Sequence, residues 1–351
     1  MVVDKDYEKL KVIKDPIYGN IPLSCVDRSI MSSAIFNRLH NIRQNGIAYM
    51  VYPGAITTRF LHSVGVMHLA TEAFIHAVHN AQYDHLREFL ERLKEEIRSI
   101  LKSNKDYIID IIESNLDGAL KKEFNRIFKR EGNKTRVLYS IFCKSKPEEL
   151  NDDEIILKMF IKSISNYFEK DKFFNLYSPP PQIREKINGE LYYLALFSLL
   201  SVRLAGLLHD IGHLPFSHCL EDIIEYIYDN LRKKSVDKDK DNIFDEYYKD
   251  LDEEIIEELL KILEPYCGGS ELKIRKVKKI HEVIGLKIIY ILFHELIRKE
   301  KILNIDDFSY LFVLLSLQLV IPEILYQSSD DFIALRALCL LYTSPSPRDR
   351  G

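Results

Sequence analysis

The sequence has no C-x-x-C pair. Its cysteines, Cys25, Cys143, Cys219, Cys267 and Cys339, are scattered along the chain. That pattern excludes a zinc ribbon or a disulfide framework and fits reduced thiols in a cytoplasmic protein. There is no excess of either charge, with 49 Lys plus Arg against 53 Asp plus Glu. No overall basic field therefore points to nucleic acid as a partner, and a small anionic substrate would need local positive charge. Residues 1–10 lack the apolar core of a signal peptide. The two longest apolar runs are also unconvincing as membrane spans. Arg203 interrupts Leu191–Leu208, while Tyr310–Ile321 is short and carries Gln318, so both are expected to be buried helices, with no membrane partner. No internal repeat is visible, and alternation of the strand kind is nearly absent.

What is present is helical periodicity in a chain of 351 residues, 46% apolar and 29% charged, enough for a sizeable core. Lys11–Leu23 is the exception. There β-forming residues are broken by Asp15-Pro16, Gly19-Asn20 and Pro22, which predicts a short hairpin. Helices are expected over Ile30–Gln44, with Gly46 as C-cap, and over Leu61–Ala77. Residues 84–132 are charged and amphipathic, with Leu86, Phe89, Leu90, Leu93, Ile97 and Leu101 on one stripe and the charges a solvated face. Further helices are predicted over Asp153–Phe168, Gly189–His209, Phe244–Tyr266, His281–Arg298 and Asp306–Tyr326. Asn175–Gln182 and the charge-dense Lys233–Asn242 read as loops. The fold class is all-α with an N-terminal hairpin.

The chemistry concentrates in Leu204–His218. An apolar helix runs directly into His209-Asp210, followed by Gly212, His213, Pro215 and His218. An imidazole beside a carboxylate can serve a metal such as Fe, Mn, Zn or Co. An isolated His-Asp pair is better explained as a helix end, with the histidine at the dipole and the aspartate capping. Arg59 and His62 open an earlier helix after a Gly- and Pro-bearing loop. There they could supply a phosphate clamp and a metal ligand, because the planar guanidinium fork matches phosphate oxygens. His62, His213, His218 and His281 each have a bland reading too, as packed structural histidines.

Taken in order, the pieces 15–21, 36–46, 52–55, 58–70, 208–218 and His281-Glu282 resemble the HD superfamily of metal-dependent phosphohydrolases, within it the deoxynucleoside triphosphate triphosphohydrolase branch. The resemblance covers about residues 11–80, 200–222 and 278–290, and an ordered set is far more specific than any single motif. It implies an HD-domain helical bundle. Carried over position by position, it implies His62, His209 and Asp210 as ligands of a divalent metal ion (Fe, Mn, Zn, Co or Mg). Gln44 and Arg59 would hold the sugar and phosphates of a nucleotide, most naturally a dNTP. His213, His218 and His281 would line the phosphate site, with His218 donating or accepting the proton. Related enzymes are often homo-oligomers.

Two departures shape the expectations. The family's second aspartate ligand sits in a motif resembling D-x-D-x-x-D-Y, and none follows His281. Asp330 and Asp331 do not fit it. Residues 339–349 resemble the translation of a sequencing adapter, so native sequence is expected to stop near Leu338. Three of four metal ligands then remain, and the chain as written is expected to be impaired. The second departure is the unusually long stretch between His62 and His209. The chain thus divides into 1–83, an N-terminal segment with the first part of the HD domain; 84–190, a helical insertion with nothing catalytic; 191–338, the second part of the domain; and 339–351, an artefactual tail. Two other functions stay open, an HD nucleotidase or phosphodiesterase acting on another nucleotide and a non-catalytic nucleotide-binding module.

Overall fold

A computed structural model describes residues 10–145, 150–176, 187, 189–236, 253–267 and 280–326. The hairpin is β1 (Lys11–Asp15) paired antiparallel with β2 (Gly19–Leu23), Asp15 opposite Gly19. The Asp15 side chain closes the turn by accepting from the backbone N–H of Ile17 at 2.8 Å and of Tyr18 at 3.0 Å, the Asx geometry that makes aspartate a turn former. Ser24 then caps α1 (Cys25–Met31) in a reciprocal box with Asp27.

The helix expected over Ile30–Gln44 is broken. Ser33 caps a new short helix, α2 (Ala34–Asn37), by accepting from Phe36 N, and a 3-10 turn follows over Arg38–Asn41. Small hydroxyl side chains that bond the backbone locally compete with helix continuation, which the apolar spacing alone did not reveal. Gly46, φ +54°, lies in a turn rather than at a helix end. Thr58 caps α3 (Arg59–Asn80).

The amphipathic region forms α4 (Tyr83–Ser103), α5 (Lys105–Asn115) and α6 (Gly118–Glu131), followed by α7 (Lys134–Cys143), α8 (Asp152–Lys170) and the short α9 (Phe173–Leu176). In α4 the predicted stripe is buried at Leu86, Leu90, Leu93, Ile97 and Leu101, while Phe89 is partly buried against the core. The remaining helices are α10 (Glu190–Leu208), α11 (His218–Val236), α12 (Glu253–Cys267), α13 (Ile280–Lys299) and α14 (Ile305–Tyr326). Residues 233–236, read from their charge as loop, continue α11; residues 237–242, the rest of that expected loop, fall outside the described residues, as do 177–182.

Helices α10 and α14 are each long and apolar enough to cross a membrane, and each is mostly buried inside the fold. The second is longer than its apolar run, because Ile305–Ser309 add a polar first turn. Such all-round apolar helices form the centre of the core. Helix α10 packs chiefly on α3, and α14 on α8 and α13. Helices α4 to α8 share one continuous hydrophobic cluster with α3, α10 and α14, so the stretch between the two histidine motifs is built into the core.

The α3–α10 contact positions the site. The helices run antiparallel, with Phe74, Ile75 and Val78 facing Ala195, Leu196 and Leu199. Near the other end Gly206 allows close approach; a Cβ there would stand 3.2 Å from Val66 O and 3.3 Å from the Ala70 Cβ. The start of α3 is thereby held against the end of α10.

Candidate metal centre

Because α3 begins where α10 ends, His62 meets His209 and Asp210. Each offers one ligand atom, and these atoms lie within 4.8 Å of one another. His62 Nε2 stands 3.4 Å from one Asp210 oxygen and His209 Nε2 3.3 Å from the other. The Nδ1 of His209 is 2.8 Å from Gly206 O, a partner that fixes the ring and leaves Nε2 facing Asp210. Two imidazoles and a carboxylate, one imidazole oriented by a backbone carbonyl, form a donor set suited to a divalent transition metal. The fourth ligand was expected to be missing from this sequence, and Asp330 and Asp331, which do not fit its motif, lie outside the described residues.

Arg59, in the first turn of α3, is buried and pairs with Asp210. Ser217 Oγ accepts from Arg59 at 2.9 Å and donates to Arg43 O at 3.0 Å, and Arg59 also reaches Gln44 O at 3.4 Å. The guanidinium thus joins the metal triad to the Gln44 loop. The Gln44 Oε1 is buried with no hydrogen-bond partner among the described residues.

The other three predicted histidines form a second group around a residue the sequence reading passed over, Glu221. His281 Nδ1 is 2.7 Å from Glu221 Oε2, His213 Nδ1 2.9 Å from Oε1, and His218 Nδ1 3.6 Å from Oε2. His213 and His281 stack at 4.0 Å between ring centroids. Its signal was available, since Glu221 follows His218 by one helical turn on α11 and so shares its face. Ser217 and Arg38 were also missed. Arg38 donates to His213 O at 2.8 Å and to Ile211 O, tying down the segment between α10 and α11. Residue type alone pointed to neither, because Arg38 works through backbone carbonyls and Ser217 links the Arg59 guanidinium to a backbone carbonyl, all far along the chain. That segment carries two consecutive non-glycine residues in left-handed conformation, Phe216 (φ 64°) and Ser217 (φ 53°), and such outliers persist where surrounding contacts over-determine them.

Burial works against charge here, and close partners override it. Burial opposes protonation of His209, yet the Asp210 carboxylate outweighs it and raises the histidine. Burial would raise Asp210, but His209, His213 and Arg59 hold it well below the usual carboxylate range. Glu221 is likewise held far down, against burial, by the close approach of His213 and His281. Part-burial, then the charge of His213, lowers His218, whose side chain is 54% exposed.

Cys219 follows His218 and is exposed, whereas burial pushes the Cys143 and Cys267 thiols up to about 11. The thiolate is the reactive form, so iodoacetamide at pH 8 is expected to label Cys219 well before Cys143 or Cys267, read by peptide mass. Equal labelling rates would contradict the described burial.

No family model matches the chain. Segments of it are similar to known proteins. An uncharacterized protein of Methanocaldococcus jannaschii is 46% identical over 63 residues, 18% of this chain and 14% of that protein. The deoxynucleoside triphosphate triphosphohydrolase of Homo sapiens is 43% identical over 75 residues, 21% of this chain and 12% of that enzyme. A protein of Acanthamoeba polyphaga mimivirus named for an HD domain is 33% identical over 89 residues, 25% of this chain and 16% of that protein. The matches therefore span only a small part of each relative's length. Over that part, the chain resembles HD-domain proteins of the triphosphohydrolase kind.

Proposed function

We propose, with that likeness as premise, that this chain is a metal-dependent HD-domain phosphohydrolase acting on deoxynucleoside triphosphates. The observation that carries the reading is the convergence of His62, from the start of α3, with His209 and Asp210, at the end of α10, into one set of ligand atoms. The triad would hold the divalent metal, which supplies Lewis-acid charge to a phosphoryl oxygen and acidifies water.

The remaining steps belong to side chains. Arg59, already inside the site and donating to Ser217, would bind the phosphate oxygens on which charge builds. Gln44 Oε1, buried and unpartnered among the described residues, suits a sugar hydroxyl. Water attacks the α-phosphorus, the bond to the 5′ oxygen breaks, and the deoxynucleoside and inorganic triphosphate leave. His218 has the exposure to reach substrate, and its lowered pKa favours the neutral form that accepts a proton and then returns it to the departing oxygen. His213 and His281, anchored on Glu221, would line the phosphate path.

Incubation with each dNTP and Mn²⁺ is expected to release triphosphate and deoxynucleoside, at the impaired rate expected of a three-ligand site, resolved by ion-exchange chromatography. Asp210→Asn is expected to lower kcat/KM by about 100-fold or more through loss of a metal ligand. Release of monophosphate or diphosphate instead would overturn the dNTP reading.

A further inference from the structure

His213 stands between two carboxylates. Its Nε2 lies 3.4 Å from Asp210 Oδ1, in the triad described above, and its Nδ1 lies 2.9 Å from Glu221 Oε1. The second contact has the length of a hydrogen bond without its direction. Both His213 Nδ1 and Glu221 Oε1 are buried and lack a hydrogen-bond partner among the described residues, although both side chains are more than nine-tenths buried. Two buried polar atoms facing each other without a well-aligned proton between them are costly. A cation satisfies both at once. At the bond lengths of about 2.1 Å usual for zinc to imidazole or carboxylate, two donors 2.9 Å apart subtend roughly a right angle at the metal.

Around that pair stand further donors. His218 and His281, with His213 and Glu221, each offer a ligand atom within 4.8 Å of the others. The group draws on the segment after α10, on α11 and on α13, so the tertiary fold assembles it. Three imidazoles and one carboxylate form a borderline-soft set that favours Zn²⁺ or Co²⁺ over Mg²⁺ or Ca²⁺. His218 is half exposed, which gives an ion a route in.

We propose that His213, His218, Glu221 and His281 form a second divalent-cation site, joined to the His62–His209–Asp210 triad through the imidazole of His213. Occupancy by Zn²⁺ withdraws His218 and His281 from the proton-transfer and phosphate roles, making the site an inhibitory one. This consequence rests on the function proposed above, whereas the site itself does not.

The test is Zn²⁺ binding to the chelator-stripped chain, measured by equilibrium dialysis with metal analysis. Asp210→Asn and Glu221→Gln are each expected to remove a different equivalent. His218→Ala, at a half-exposed position where folding tolerates truncation, is expected to weaken one equivalent by about 10- to 100-fold. Co²⁺ in place of Zn²⁺ reports the same loss through its visible absorption bands. Equal Zn²⁺ content and affinity in the parent chain, Glu221→Gln and His218→Ala would overturn the second site. Unchanged binding in Asp210→Asn alone would instead count against the triad as a metal centre, so the two failures are distinguishable.

Discussion

Asp27→Ala is expected to destabilise the protein by about 3–5 kcal/mol, the cost of leaving one member of a buried ion pair without its partner. Asp27 and Arg203 are both fully buried, Arg203 Nε donating to Asp27 Oδ2 at 2.8 Å. The guanidinium also donates to Thr71 Oγ1 at 2.9 Å and to Pro22 O at 2.6 Å, and lies 4.5 Å over the Phe173 ring. One side chain of α10 thus connects the hairpin, α1, α3 and α9. Loss of Asp27 strands a positive charge where water cannot reach it. Replacing both members by apolar residues of similar volume, Asp27→Leu with Arg203→Met, is expected to recover much of the loss, since neither charge then needs desolvating. Urea unfolding followed by circular dichroism measures both. An Asp27→Ala midpoint matching the parent chain would contradict this account of the core.

Gly212→Ala is the second large effect. A Cβ at 212 would overlap the His281 carbonyl oxygen and the Gly285 backbone nitrogen, and would stand 2.7 Å from the Gly285 Cα. All three atoms are backbone of α13, so no rotamer change relieves the clash. Either α13 or the segment carrying His209 and His213 must move. Overpacking of this kind typically costs about 1–3 kcal/mol and more when backbone must shift. The same movement carries His281 off Glu221, to which it is held at 2.7 Å. A lowered Tm together with weakened Zn²⁺ binding is therefore expected, while a variant with parental Tm would show that α13 is not locked against Gly212.

Much of the architecture was readable because it rests on local periodicity. The hairpin over Lys11–Leu23, the stripe of α4 and the apolar α10 all follow from spacing and turn chemistry along a single segment. Misreadings arose where side chains compete with helix continuation, as at Ser33, or where charge density masked a helix, as at residues 233–236. Arg203 shows a different limit. In the sequence it is an interruption in an apolar run; in the fold it is the polar centre of four elements, because its partners lie as far away as Pro22 and Asp27.

The His-Asp pair with His62, Arg59 and Gln44 was legible as an ordered set of motifs, since chemistry constrains residue type and order. The pairing of Arg59 with Asp210, the hold of Arg38 on the segment after α10, and the gathering of three histidines around Glu221 were not. Each depends on the antiparallel contact of α3 with α10 and on α13 crossing Gly212, where glycine alone lets two backbones touch. The sequence by itself determined which groups could do chemistry, because side-chain identity sets ligand and proton-transfer capacity. Only the tertiary structure decided which of them share a carboxylate, because that is settled by packing between helices as distant in sequence as those of Glu221 and His281, or of His62 and Asp210.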